Sequence, residues 1–113
     1  MNMHQRIVTE TELEKALDFL RDNALALGEA KARLVRAGHM LKHVEALEFK
    51  ASDATSNDKR QADARTSDAY MAAIVEDAEA AGAYEAMRAL REAAALKIES
   101  WRSEQATLRS MKL

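Results

Sequence analysis

The stretch YMAAIVEDAEAAGAYEAMRALREAAALKIESWRSEQATLRSMKL, residues 70–113, decides the fold. Its apolar positions recur at Tyr70, Ile74, Ala78, Ala81, Tyr84, Met87, Leu90, Ala94, Ile98, Trp101 and Leu108, with Gln105 as the polar member of the series. Steps of three and four place them on one face of an α-helix. The chain holds no proline, and Gly82 is the only glycine in this stretch, so little forces a break. At ~1.5 Å per residue the helix would be roughly 65 Å long, well beyond the ordinary globular length. A helix of that length needs a partner helix to cover its apolar face.

The partner lies upstream. Thr9-Glu10-Thr11-Glu12 reads as a helix start, with Thr9 or Thr11 as the cap and acids in the first turn. From there a stripe runs through Leu13, Ala16, Leu17, Leu20, Ala24, Leu27, Ala30, Leu34, Ala37, Leu41, Val44 and Leu47. It predicts a first helix over residues 9–49, preceded by a frayed arm at residues 1–8. Residues 50–67 lose the large apolar side chains and form a polar connector. Within it Asn57–Arg65 can make a short helix capped by Ser56, and Ser67 caps the second long helix over residues 68–111. The expectation is one all-α domain, an antiparallel two-helix hairpin that pairs into a larger helical bundle.

Charge supports the hairpin. Residues 9–23 hold five acids and two bases, and residues 30–43 hold Lys31, Arg33, Arg36 and Lys42 with no acid. Residues 68–87 hold Asp68, Glu76, Asp77, Glu79 and Glu85 with no base, and residues 88–113 hold six bases and three acids. Folding back at the connector lays each block on its opposite and sets Leu17 near Trp101, Leu34 near Tyr84 and Val44 near Ile74. Phe19, Val35, Met40 and Met71 fall off that narrow seam, and a two-helix layer offers them no cover. Self-association through Phe19, Val35 and Met40 is therefore expected.

Composition narrows the function classes. With 48% hydrophobic residues, many of them alanine, and 32% charged, the chain has the make-up of helical rods and coiled coils. The absence of cysteine excludes disulfides, thiol catalysis and zinc knuckles, and no apolar run suggests a leader or a membrane span, so a cytoplasmic protein is expected. His39 and His43 share a helix face but lack the further ligands zinc requires, so neither a metal nor a cofactor is expected. No glycine-rich phosphate loop, nucleophile elbow or sheltered carboxylate pair is visible, so no enzyme is expected. The basic stretch Lys31–Lys42 has no interleaved aromatic residues, which leaves the connector, with Lys59 and Arg60, as the best place for any contact to nucleic acid.

The C-terminal part carries a resemblance. Lys50, Lys59-Arg60, Ala64, Tyr70 and then Ala94 through Trp101-Arg102-Ser103-Glu104-Gln105-Ala106 and Arg109 resemble a group of small helical accessory proteins of tailed bacteriophages. The resemblance covers about residues 30–110 and is tightest from Trp101 to Arg109. Such proteins are often encoded among phage recombination and replication genes. The resemblance carries no catalytic residue; it implies an accessory protein of the bacterial cytoplasm, acting as an adaptor on a recombination or replication protein. The alternative is an inhibitor of a host defence complex, anti-CRISPR-like, that presents the acidic face Asp68, Glu76, Asp77 and Glu79 to a nucleic-acid groove. Trp101 is expected in the core, while Arg102 and Arg109, with Arg88, share an outward face that suits a protein partner.

Overall fold

The computed structural model describes residues 7–112. It is all-α: α1 is Glu10–Ala51, α2 is Asn57–Arg65 and α3 is Asp68–Met111. Each helix starts where a hydroxyl can take an orphan backbone N–H. Thr9 Oγ1 accepts from Glu12 N at 3.1 Å, Ser56 Oγ from Lys59 N at 3.2 Å, and Ser67 Oγ from Tyr70 N at 3.1 Å. Of the two threonines at the start of α1, Thr9 is therefore the cap. Residues 1–6 of the expected arm lie outside the described residues, and Val8, its last member, is a core residue at 4% exposure.

The described chain divides into two compact units, through both of which α1 and α3 run unbroken. One unit is Gly28–Ala86; the other joins the residues up to Leu27 with those from Met87 onward. In each, a piece of α1 packs on a piece of α3 in the antiparallel hairpin arrangement.

The inward residues follow a strict seven-residue repeat. On α1 they are Leu13, Leu20, Leu27, Leu34 and Leu41, alternating with Ala16, Asn23, Ala30, Ala37 and Val44. On α3 they are Ala73, Ala80, Met87, Ala94, Trp101 and Leu108, joined three residues earlier by Tyr70, Asp77, Tyr84, Ile98 and Gln105, while Arg91, three before Ala94, is exposed. This is the 3.5-residue repeat of a coiled coil, with small residues where the backbones approach. Among the described residues the fully closed positions are Val8 and five alanines, Ala16, Ala37, Ala64, Ala80 and Ala94. Burial of a methyl-sized group contributes about 0.8 kcal/mol, so the closed part of this seam is thin.

That phase corrects the stripe read from sequence. Leu17, Leu47, Ile74 and Leu90, expected inside, are among the exposed large hydrophobics, and Leu17 at 49% exposure is not a seam residue beneath Trp101. The sequence stripe takes Ile74 rather than Ala73 and Ala81 rather than Ala80 as inward, while its Ala16, Ala37 and Ala94 are inward in the structure too. In the structure Ala73 and Ala80 face in, where their size permits close approach, and Ile74 and Ala78 are left exposed.

Within the Gly28–Ala86 unit the opposed charge blocks do meet. Arg33 Nε donates to Glu76 Oε1 at 2.8 Å, Arg33 Nη2 to Glu76 Oε2 at 3.3 Å, and Glu79 Oε2 stands 3.9 Å from the same nitrogen. Lys31 Nζ sits 4.9 Å from the centroid of the Tyr84 ring. Lys31, three residues before the Leu34 that the sequence reading set near Tyr84, thus reaches the tyrosine ring with its ammonium group. The ion pairs are half-exposed, so each contributes at most about 1 kcal/mol and sets register more than stability.

α2 closes the connector end. Ala64 is fully buried, Arg60 donates from Nε to Ala54 O at 2.8 Å with its guanidinium 5.9 Å from the Phe49 ring centroid, and Glu45 accepts from Gln61 and Arg65 at 3.3 and 3.4 Å. Glycine costs about 1 kcal/mol relative to alanine in a helix, and a Cβ added at Gly28 or Gly82 meets nothing within 4 Å. Gly28→Ala and Gly82→Ala should each stabilise the protein by about 1 kcal/mol in urea titrations; a loss at either site would show that the glycine is required where it stands.

Candidate functional site

The residues proposed from sequence fall into three places. At the C-terminal end of α3, Trp101, Arg102, Gln105, Ala106 and Arg109 line one shallow open groove. The i, i+1 step from Trp101 to Arg102 turns the indole toward the seam, half-buried, and the guanidinium outward, with its side chain 71% exposed. Arg102 Nη1 donates to Glu99 Oε1 at 3.2 Å, an intrahelical bond worth tenths of a kcal/mol that leaves most of the arginine available. Arg88 lies two heptads earlier, beside Glu92 at 3.4 Å, and does not line this groove.

The acidic set is mostly engaged inside its own unit. Glu76 and Glu79 are the partners of Arg33, and Asp77 Oδ1 lies 4.0 Å from where a Cβ on Gly38 would sit. Asp68 opens α3 and is exposed. In the connector Lys59 is exposed on α2, while Arg60 is half-buried and holds the turn through Ala54 and Phe49. Chemically, then, Glu76 and Arg60 serve the fold, and Arg102 and Arg109 are offered outward beside an aromatic ring.

A further feature lies in the unit that holds both ends of the chain. Phe19, Leu20, Asn23, Ala24 and Leu27 of α1 and Met87 and Arg91 of α3 line an open groove of about 500 Å³. It lies where Asn23 stands at a heptad position that elsewhere on α1 carries alanine or valine, and where Arg91 of α3 is exposed. The sequence signal was available: Asn23 is three residues after Leu20, and Arg91 is seven after Tyr84. A stripe drawn through Ala24 and Leu90 instead passed over both.

His39 and His43 are both exposed on α1, and among the described residues no group of three or more His, Cys, Asp or Glu side chains converges as a metal site. No helix of the described residues is long and apolar enough to cross a membrane. By fold the protein is an all-α helical hairpin with surface grooves. No protein family, curated protein or solved structure matches the chain.

Proposed function

We propose that this chain is a non-enzymatic accessory protein of a tailed bacteriophage that works by binding another protein, as an adaptor in phage DNA recombination or replication. The observation that carries the binding role is its uncovered apolar surface. Twelve large hydrophobic residues of the described chain are exposed, while its closed core holds nothing larger than Val8. The chain exposes 8617 Å², whereas a compact monomer of this mass exposes on the order of 6,200 Å². The surplus, about 2,400 Å², leaves ample room for an ordinary protein interface, which removes roughly 800 Å² per partner. The phage assignment rests on the resemblance of Trp101–Arg109 and its flanks.

The groove beside Trp101 is the contact we assign to that partner, since arginine and tryptophan are the residue types that dominate binding energy. The double change Arg102→Ala with Arg109→Ala should leave helicity unchanged and the stability within about 1 kcal/mol of the parent. It should weaken partner capture at least about tenfold. The experiment is affinity capture from infected and uninfected host lysates with the parent and the double variant side by side. Recovery of phage recombination or replication proteins, lost in the variant, supports the adaptor. Recovery of a host nuclease complex favours the inhibitor of host defence, and capture that persists without both arginines removes this groove from the contact.

A further inference from the structure

We infer that the groove walled by Phe19, Leu20, Ala24, Leu27 and Met87 is one half of an isologous interface, filled by Leu17 of a second copy of this chain. That copy's Asp18 and Glu14 then meet Arg91. The interface uses residues other than the Trp101–Arg109 groove and does not depend on the function proposed above.

The groove itself states what fits it. Its walls are apolar, and at its α3 side stands Arg91, which among the described residues has no hydrogen-bond or ion-pair partner. Asn23 Nδ2 donates to Phe19 O at 3.0 Å, which fixes the amide at the groove floor. An apolar side chain with a carboxylate beside it satisfies both parts. Leu17 is such a side chain: it is exposed, Asp18 follows it, and Glu14 lies one turn before it on the same helix.

The same helix therefore carries both the groove and the group that fits it. Leu17 and Ala24 are seven residues apart on one flank of α1. Two α1 helices laid antiparallel about a two-fold axis near Leu20 and Arg21 put Leu17 of each against Ala24 of the other, so both contacts form twice. Charge agrees with this occupant. Glu14 and Asp18 beside Leu17 bring acids to Arg91 of the other copy. Arg21 pairs along its own helix with Asp18 and Asp22. Arg21, nearest the axis, would face its own copy there. The hydrogen bond to Asp22 and then the charges of Asp22 and Asp18 raise its pKa above the usual arginine value, and the same two acids neutralise it locally.

The chain contains no cysteine, which makes cross-linking a clean test. Arg21→Cys should form a disulfide-linked dimer on mild oxidation, while Ala32→Cys, exposed and outside the contact, should not. In sedimentation equilibrium the parent should approach twice 12.6 kDa. Leu17→Glu should weaken that dimer at least about tenfold, with Leu17→Met close to the parent. Circular dichroism of Leu17→Glu should be unchanged, because Leu17 is already exposed in the single chain. A parent that stays at 12.6 kDa overturns the inference. So does a dimer that is indifferent to Leu17→Glu, or one that cross-links through Ala32→Cys as readily as through Arg21→Cys.

Discussion

Ala80→Glu should abolish cooperative folding at room temperature, and Ala80→Leu should cost about 1–3 kcal/mol by overpacking. Ala80 is at 0% exposure, on the α3 seam of the Gly28–Ala86 unit, where its small size permits the helices to approach. Glutamate there would have to bury a carboxylate in a fully closed position, at a cost of several kcal/mol against a native stability of only about 5–15. Leucine tests size alone, because its helix propensity is close to that of alanine. The control is two residues away. Ala78 is exposed, so Ala78→Leu should change stability by no more than about 0.5 kcal/mol. Urea titrations of the three variants and the parent decide which residue faces the seam; equal losses in Ala78→Leu and Ala80→Leu would contradict the observed heptad phase.

Trp101→Ala carries the second large effect, about 2 kcal/mol, and on the order of 10 °C in melting temperature for a domain of this size. A fully buried tryptophan would lose about 3–5 kcal/mol, but Trp101 is half-buried and its remaining surface forms part of the groove with Arg102 and Arg109. The same substitution should lower partner capture, whereas Arg102→Ala with Arg109→Ala should lower capture with little change in melting. Trp101→Phe should restore most of the stability. A melting temperature unmoved by Trp101→Ala would remove the indole from the seam altogether.

Most of the architecture is legible in the sequence because helices announce themselves locally. The absence of proline, the caps at Thr9, Ser56 and Ser67, and apolar spacing of three and four are enough to place α1, α2 and α3. The seam phase is less legible, because alanine is ambiguous. Ala73 next to Ile74 and Ala80 next to Ala81 allow two adjacent stripes, and burial by size favours the wrong one when close approach of backbones selects the smaller residue. Charge blocks of ten or more residues fix pairing only to within a turn, so the Lys31 contact to the Tyr84 ring could not be read from them. Of the site residues, Arg102 and Arg109 could be placed together from their seven-residue spacing. That Glu76 is spent on Arg33 and Arg60 on Ala54 could not, since each partner lies on another segment of the chain. The groove is visible in retrospect through Asn23, a polar residue breaking an alanine and valine heptad on α1, whereas Arg91 shares its heptad position with Asp77 and Gln105 and stands out less.

Thermal unfolding followed over a hundredfold range of protein concentration asks most directly whether this fold is completed by another protein molecule. If a second copy covers the surface left by α1 and α3, the dimer is stabilised by mass action and the melting midpoint rises with concentration. A midpoint that climbs steadily with concentration in the parent, and stays flat in Leu17→Glu, is the expected result. A midpoint independent of concentration, with a particle of 12.6 kDa throughout, would contradict it.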